Sequence, residues 1–403
     1  MIFKKLFNIT LYVFVLLVPI LPLKVKISIL PLSADFIIAS FLILFGILNV
    51  IFEDGLENIK LRNRNIQFFS IIVFIFLVLN AVSFFVAVNK GAAISESMRF
   101  FEYVFLFYFT YIIADEKTIN RTFNLFFIAM LLAAAYGVVQ FVFGLSPYTV
   151  NRNIRLNSTF VNPNYWGAAV NIVIFYPIVE MINKRRISLN DSLFLGLFIF
   201  NLLFSLNRSS WLAFLAGLFV ILLLINKKFI LSLPAFIIPL MAHPFTRKRF
   251  VTMLSVEKIA KDARFKLWKT AYMMFKEHFW LGVGNGNYRY FYPEYIERYP
   301  ALFVRKELWS PHNSFLKMFA EMGIFGGLVF ILIYLMLFYM VIKVYKGTKR
   351  YKVYALSLIG FWVAYLFQNN FNNLMFIPQL NVFAWLLTAL IFKAFVLETK
   401  EAI

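Results

Sequence analysis

His312 is the residue best placed to do chemistry. It lies in Trp309-Ser310-Pro311-His312-Asn313-Ser314-Phe315-Leu316, where a polar interruption running from Thr246 to Pro311 gives way to an apolar run. Ser310 suits a helix N-cap and Pro311 the first helical position, so the pattern predicts His312 in the first turn of a helix. There the free backbone N–H groups and the positive helix end would keep the imidazole neutral, able to take a proton or polarise an oxygen. The same N–H groups suit a phosphate. Taken alone, the pattern also fits an interfacial histidine with no chemistry. His243, before Pro244, and His278, ending an amphipathic stretch, read as structural.

Three arginines come next. Arg208 stands in Leu206-Asn207-Arg208-Ser209-Ser210-Trp211, a short polar knot between apolar runs. An ionisable group at membrane depth is costly and marks a function, unless it snorkels to lipid headgroups. Arg155 opens another compact polar loop, and Arg264 lies on the polar side of the amphipathic stretch. Guanidiniums gathered on one membrane face suit a diphosphate, because the planar fork matches phosphate oxygens and keeps its charge. Asn313, beside His312, could position either reactant.

Absences narrow the chemistry. The chain has no cysteine, so thiolate nucleophiles, disulfides and cysteine metal sites are out. It shows no Walker lysine loop, no His-Glu-x-x-His pair and no close aspartate pair for a divalent metal. Gly282, Gly284 and Gly286 mimic a nucleotide fingerprint, but follow no expected strand and open no helix. The expectation is chemistry without metal or cofactor, with arginines offsetting charge on a leaving group.

These residues must be positioned by membrane helices. Of 403 residues, 62% are hydrophobic and 52 are Phe, at a mean hydropathy of +0.78. No soluble domain could cover that much apolar surface. The reading is an all-α integral membrane protein of about 12 spans, near 6–23, 36–52, 66–88, 100–114, 122–146, 164–183, 190–206, 211–225, 229–245, 318–342, 353–371 and 378–397. Met1-Ile2-Phe3-Lys4-Lys5 and its apolar run resemble a signal peptide without a cleavage site, so it is read as a retained first span.

The net charge of +21 follows this plan. Eighteen Lys or Arg fall in alternate segments such as Lys4-Lys5, Lys184-Arg185-Arg186 and Lys343–Lys352, against seven in the short segments between them. The positive-inside rule then puts both termini in the cytoplasm and the long loop outside. The charge is therefore no sign of nucleic-acid binding. The domain plan is one polytopic unit, 1–403, with 246–311 as an outer loop subdomain carrying thirteen basic and six acidic residues. Within it, 257–279 has helical spacing, with Ile259, Ala263, Leu267, Ala271, Met274 and Phe275 on one face. Such a helix rests on the membrane surface or caps the bundle. A basic, membrane-sided pocket with one titratable base suits a substrate that is both a lipid and an anion.

Four ordered blocks across roughly residues 150–345 carry a resemblance. They are Thr159–Asn164 after Arg155; Ser205–Trp211; Arg264–Trp268 leading into Phe279–Tyr288; and Pro311–Leu316 continuing to Glu321-Met322-Gly323-Ile324-Phe325-Gly326. Together they resemble the O-antigen ligase and O-antigen polymerase superfamily of bacterial envelope glycosyltransferases. The resemblance implies the multi-spanning C-type glycosyltransferase fold in the inner membrane. It implies a glycan donor on undecaprenyl pyrophosphate at the periplasmic face and, in ligases, an acceptor hydroxyl on the lipid A-core oligosaccharide. The family's essential histidine falls on His312, and its two essential arginines fall on Arg208 and Arg264. The expected reaction is a single displacement with inversion.

Three rivals stand beside the ligase. A polymerase would pass the glycan to another lipid-linked unit. The Arg-x15-Gly spacing of some polymerases' outer loops begins here only at Arg121, on an inner segment, which favours the ligase. A protein O-oligosaccharyltransferase would use a protein hydroxyl. A transporter of lipid-linked sugars would show broken helices and paired charges at mid-membrane, whereas these charges fall at the outer face.

Overall fold

The protein's structure is a computed structural model that describes residues 2–21, 24–27, 30–54, 63–150, 153–253, 263–306 and 310–399. Helices dominate it. The first half holds α1 (Ile2–Leu17), α2 (Ala34–Asn49), α3 (Arg64–Val86), α4 (Lys90–Ile113), α5 (Glu116–Val142), α6 (Pro163–Val173), α7 (Phe175–Lys184), α8 (Leu189–Phe204) and α9 (Arg208–Ile225). Then come α10 (Ile238–Ala242), α11 (Pro244–Met253), α12 (Ala263–Glu277), α13 (Tyr288–Arg298), α14 (Ser314–Gly347), α15 (Lys352–Gln368) and α16 (Pro378–Thr399). Asn63, Asn89, Asp115 and Asn162 cap helix starts by accepting from an N–H two or three residues on.

Seven helical stretches among the described residues have the length and composition to cross a membrane. They are Asp35–Glu53, Arg64–Val86, Glu116–Val142, Pro163–Lys184, Arg208–Ile225, Ser314–Gly347 and Pro378–Thr399. Leu189–Phe204 and Lys352–Gln368 are apolar but shorter. The chain is a multi-pass membrane protein.

The bundle is built around α16, which is buried almost along its whole length because it is apolar on every side. Its Trp385 ring lies 5.6 Å from Phe100, 5.8 Å from Phe69 and 6.2 Å from Tyr334. At one end of the bundle, Lys4 pairs with Asp115 at 3.1 Å and Arg350 with Glu116 at 2.5 Å, so the starts of α1 and α5 meet the end of α14. The 34 residues of α14 would span about 50 Å, against about 30 Å of hydrocarbon. Its early turns therefore belong to the surface, and a non-helical Gly323 (φ 65°) kinks it there.

The expected span at 229–245 is not one helix, and that reading is corrected. A 3-10 helix (Lys227–Phe236), α10 and α11 follow one another, because Pro234, Pro239 and Pro244 each withdraw an N–H from a continuing α-helix. The segment nevertheless returns along α9. The Phe236 ring lies 6.1 Å from Phe214, and the His243 ring 5.6 Å from Phe204, next to the start of α9. Two short antiparallel hairpins were also not foreseen, Lys24–Ile27 with Leu30–Ser33 and Thr149–Val150 with Asn153–Ile154. The second leads directly into Arg155.

Of the expected amphipathic stretch 257–279, the part before Ala263, with Ile259, lies outside the described residues. The remainder forms α12, which buries Leu267, Thr270, Ala271 and Met274. Leu267, Ala271 and Met274 pack with Val283, Tyr288, Tyr292 and Tyr295 and with Ala320 of α14. This helix caps the bundle. Phe275 meets Phe319 at 5.4 Å, whereas Ala263 is exposed.

Candidate active site

The turn Ser205-Leu206-Asn207 joins α8 to α9 and organises one half of the site. Leu206 is fully buried in a left-handed conformation (φ 53°), rare for a branched side chain and costing about 1–3 kcal/mol. This aims two successive carbonyls at guanidiniums. The Ser205 oxygen accepts from Arg155 Nε at 3.2 Å, and the Leu206 oxygen from Arg249 Nε at 2.8 Å. Arg208 is the next residue after the turn, and is half-buried. Three arginines from three segments thus converge. No carboxylate among the described residues pairs with any of them. Burial, then the nearby charges of Arg155 and Arg208, lowers the Arg249 pKa to about 10, leaving it charged at neutral pH. Burial lowers that of Arg155 as well.

A network of amides and hydroxyls continues from the turn. Asn207 Nδ2 donates to Ser210 Oγ (2.7 Å) and to the Asn164 carbonyl (3.2 Å). From α15 and the loop after it, Gln368 donates to Ser210 Oγ (2.7 Å) and Asn372 to Ser209 Oγ (2.8 Å). Asn369 then reaches α14: its carboxamide oxygen accepts from Ser314 Oγ (2.6 Å), and its carbonyl from Ser314 N (2.9 Å).

The start of α14 differs from expectation. The N-cap is Asn313, whose carboxamide oxygen accepts from Phe315 N and Leu316 N at 3.0 Å each. Neither Ser310 nor Pro311 begins the helix. His312 precedes the cap in a left-handed conformation (φ 52°), which cannot continue a helix. The expectation that His312 lies in a first helical turn is therefore corrected. The imidazole is instead held in a strained corner beside a cap.

His312 lines a cavity of about 310 Å³ together with Glu96, Asn164, Arg289, Lys317 and Asn373. Asn164 joins this cavity to the arginines, since its side-chain oxygen accepts from Arg155 Nη2 at 2.9 Å. Lys317 sits over the Phe376 ring at 3.7 Å and pairs with Glu321 at 2.6 Å. Glu321 also accepts from Gly286 N and Tyr288 N at 2.9 Å each, and so pins the glycine-rich loop. That loop needs its glycines. A Cβ at Gly282 would run into the Glu321 backbone, and one at Gly323 into the Trp280 carbonyl. Ile324 N donates back to Phe279 O at 2.8 Å, so the third and fourth sequence blocks form one interlocked piece.

Of the expected residues, the structure brings Arg155 and Arg208 together and places His312 in the adjoining cavity. Arg264 stands near the start of α12, half-buried and outside the cavity wall. One turn on, Trp268 meets Phe371 at 6.0 Å, beside the amide network. Asn313 holds the start of α14. His243 accepts from Phe245 N through Nδ1, and the His278 ring packs on Phe291. Sequence reasoning missed Arg249, hidden among thirteen loop cations. It also missed the amides of 368–373, although five in six positions between two apolar helices is itself a signal.

Residues 193–331 match the family model described as O-antigen ligase. No curated protein matches the chain. The matched segment includes the Ser205–Arg208 turn, α11, α12, the glycine loop, His312 and the Gly323 kink. The O-antigen ligase superfamily resemblance is thus supported by a family match as well as by the four sequence blocks, and glycosyl transfer of that general kind is supported with it.

Proposed function

We propose that the protein transfers a glycan from undecaprenyl pyrophosphate to a sugar hydroxyl of lipid A-core oligosaccharide, at the periplasmic face of the bacterial inner membrane. The observation that carries this reading is the junction at Asn164. On one side lies a set of guanidiniums without carboxylate partners among the described residues, and on the other a polar cavity with a histidine in its wall. Such a pair of subsites suits a diphosphate leaving group beside a hydroxyl nucleophile.

The chemistry balances as a single displacement. His312 takes the proton of the acceptor hydroxyl as its oxygen bonds to the anomeric carbon from the side opposite the diphosphate. The anomeric carbon–oxygen bond breaks, and its electron pair leaves with undecaprenyl pyrophosphate. Arg208 and Arg155 meet the charge that builds on that group, with Arg264 given the same role by the family resemblance alone, and the role requires no metal. Asn313, its oxygen taken up by the helix cap, acts by holding His312 in place.

The test uses purified protein in detergent with EDTA, undecaprenyl-pyrophosphate glycan and rough lipopolysaccharide. A ladder on lipopolysaccharide, lost in His312→Ala at equal expression and folding, is the expected result. Full activity in that variant would sink the assignment. Glycan lengthening on the undecaprenyl carrier would instead make the protein a polymerase.

A further inference from the structure

Neither the sequence blocks nor the family resemblance assigns a task to Arg249, yet the fold goes to some length to place it. The chain after α9 turns back along that helix through three proline-broken pieces and delivers α11 to the Ser205–Asn207 turn. Thr246, fully buried, fastens the first turn of α11 by donating to the His243 carbonyl at 3.0 Å. Arg249 then spends only its Nε on the Leu206 carbonyl, leaving both terminal nitrogens of the fork without a described protein acceptor. The Arg208 side chain, half-buried beside it, makes no hydrogen bond or ion pair with a described residue. Like charges gathered half-buried repel one another, and a fold keeps such a set only where something compensates it.

We propose that Arg249 is a ligand of the donor's diphosphate, acting with Arg155 and Arg208 as a three-guanidinium cradle. The proposal deepens the reading above by assigning the diphosphate subsite to α11 and the α8–α9 turn. A dianionic diphosphate diester gains one more negative charge when the sugar leaves, and a third guanidinium matches that gain. The acceptor cavity opens at the same place, through Asn164, so the cradle holds the leaving group at the edge of the chamber that holds the nucleophile.

The probes are farnesyl diphosphate, farnesyl monophosphate and vesicles doped with phosphatidylglycerol, each titrated against wild type, Arg249→Ala and Arg208→Ala. Arg249→Ala is expected to weaken farnesyl diphosphate binding at least about tenfold, as loss of a charged, forked donor should. It should weaken farnesyl monophosphate binding less and leave vesicle binding within about twofold. Diphosphate affinity unchanged in Arg249→Ala but reduced in Arg208→Ala would overturn the role of Arg249 while sparing the donor subsite. Loss of vesicle binding alone would make Arg249 a lipid-headgroup contact and equally overturn the proposal. A wild-type protein that binds no prenyl diphosphate would sink the functional reading itself. Should Arg249→Ala fail to fold, Arg249→Gln takes its place in the same titrations, where a tenfold loss of diphosphate affinity supports the cradle and an unchanged affinity overturns it.

Discussion

At the residue scale, the two halves of the site differ in what their charges meet. Lys317 and Glu321 satisfy one another in a buried pair, and Glu321 has two backbone donors besides. Glu96 lines the same cavity, half-buried, and pairs with no cation among the described residues. A carboxylate of this kind, sharing with His312 a polar chamber that has four asparagines in its wall, is equipped to accept from the hydroxyls of a sugar. Glu96→Gln keeps the shape and one acceptor oxygen but loses the charge-assisted bond. It should raise the KM for the lipopolysaccharide acceptor by about tenfold, with the donor KM within about twofold. Steady-state transfer assays varying one substrate at a time check this, and equal effects on both constants would mean that Glu96 serves the fold. Glu321→Gln differs in kind. It would leave the Lys317 ammonium buried without its partner, at a cost of about 3–5 kcal/mol, visible as a lower unfolding midpoint in detergent before any kinetic effect.

At the element scale, the decisive joint is between the glycine loop and the kink of α14. Gly323 has a φ of 65° that L side chains avoid, and a Cβ there would press on the Trp280 carbonyl. Gly323→Ala combines about 1–3 kcal/mol of backbone strain with that clash. It should lower the unfolding midpoint and activity together, because the loop, Glu321 and the cavity wall shift as one. A thermal scan and the ladder assay on the same preparation measure both effects. Wild-type behaviour in both would show that the kink is not needed. This joint also marks where sequence reasoning stops. The glycines of Leu281–Asn287 stand out in the sequence, but the place where they dock does not, since the lone Gly323 in an apolar run looks like any other helix glycine. The span at 229–245 was misread for a related reason. Hydropathy reports apolar length, whereas Pro234, Pro239 and Pro244 decide hydrogen bonding, and only the latter breaks a helix. The start of α14 was misplaced because Ser310-Pro311 and Asn313 are competing starts, and the asparagine, with two N–H groups to accept from, prevails. His312 and Arg208 could be found because a titratable or charged group next to apolar runs is conspicuous. Arg249 could not, because its partner is a backbone carbonyl 43 residues away.

For the whole molecule, the remaining question is which end faces which compartment. The ion pairs Lys4–Asp115 and Arg350–Glu116 gather several of the basic inner segments at one end of the bundle. The cradle, the cavity and the amide network belong to the polar turns between spans, with Asn370 exposed beside them. A donor carried on undecaprenyl pyrophosphate and used outside the cytoplasm requires that second end to face the periplasm. The absence of native cysteine makes this directly measurable, since an introduced thiol is the only one on the chain. Asn370→Cys should react with a membrane-impermeant maleimide on intact spheroplasts. Ile187→Cys, 84% exposed in the turn after α7, should react only after the membrane is opened, if Lys184, Arg185 and Arg186 beside it keep that turn inside as the positive-inside rule expects. The reverse pattern would put the cradle on the cytoplasmic side and overturn the periplasmic placement of the reaction, even if diphosphate binding at the arginines survived.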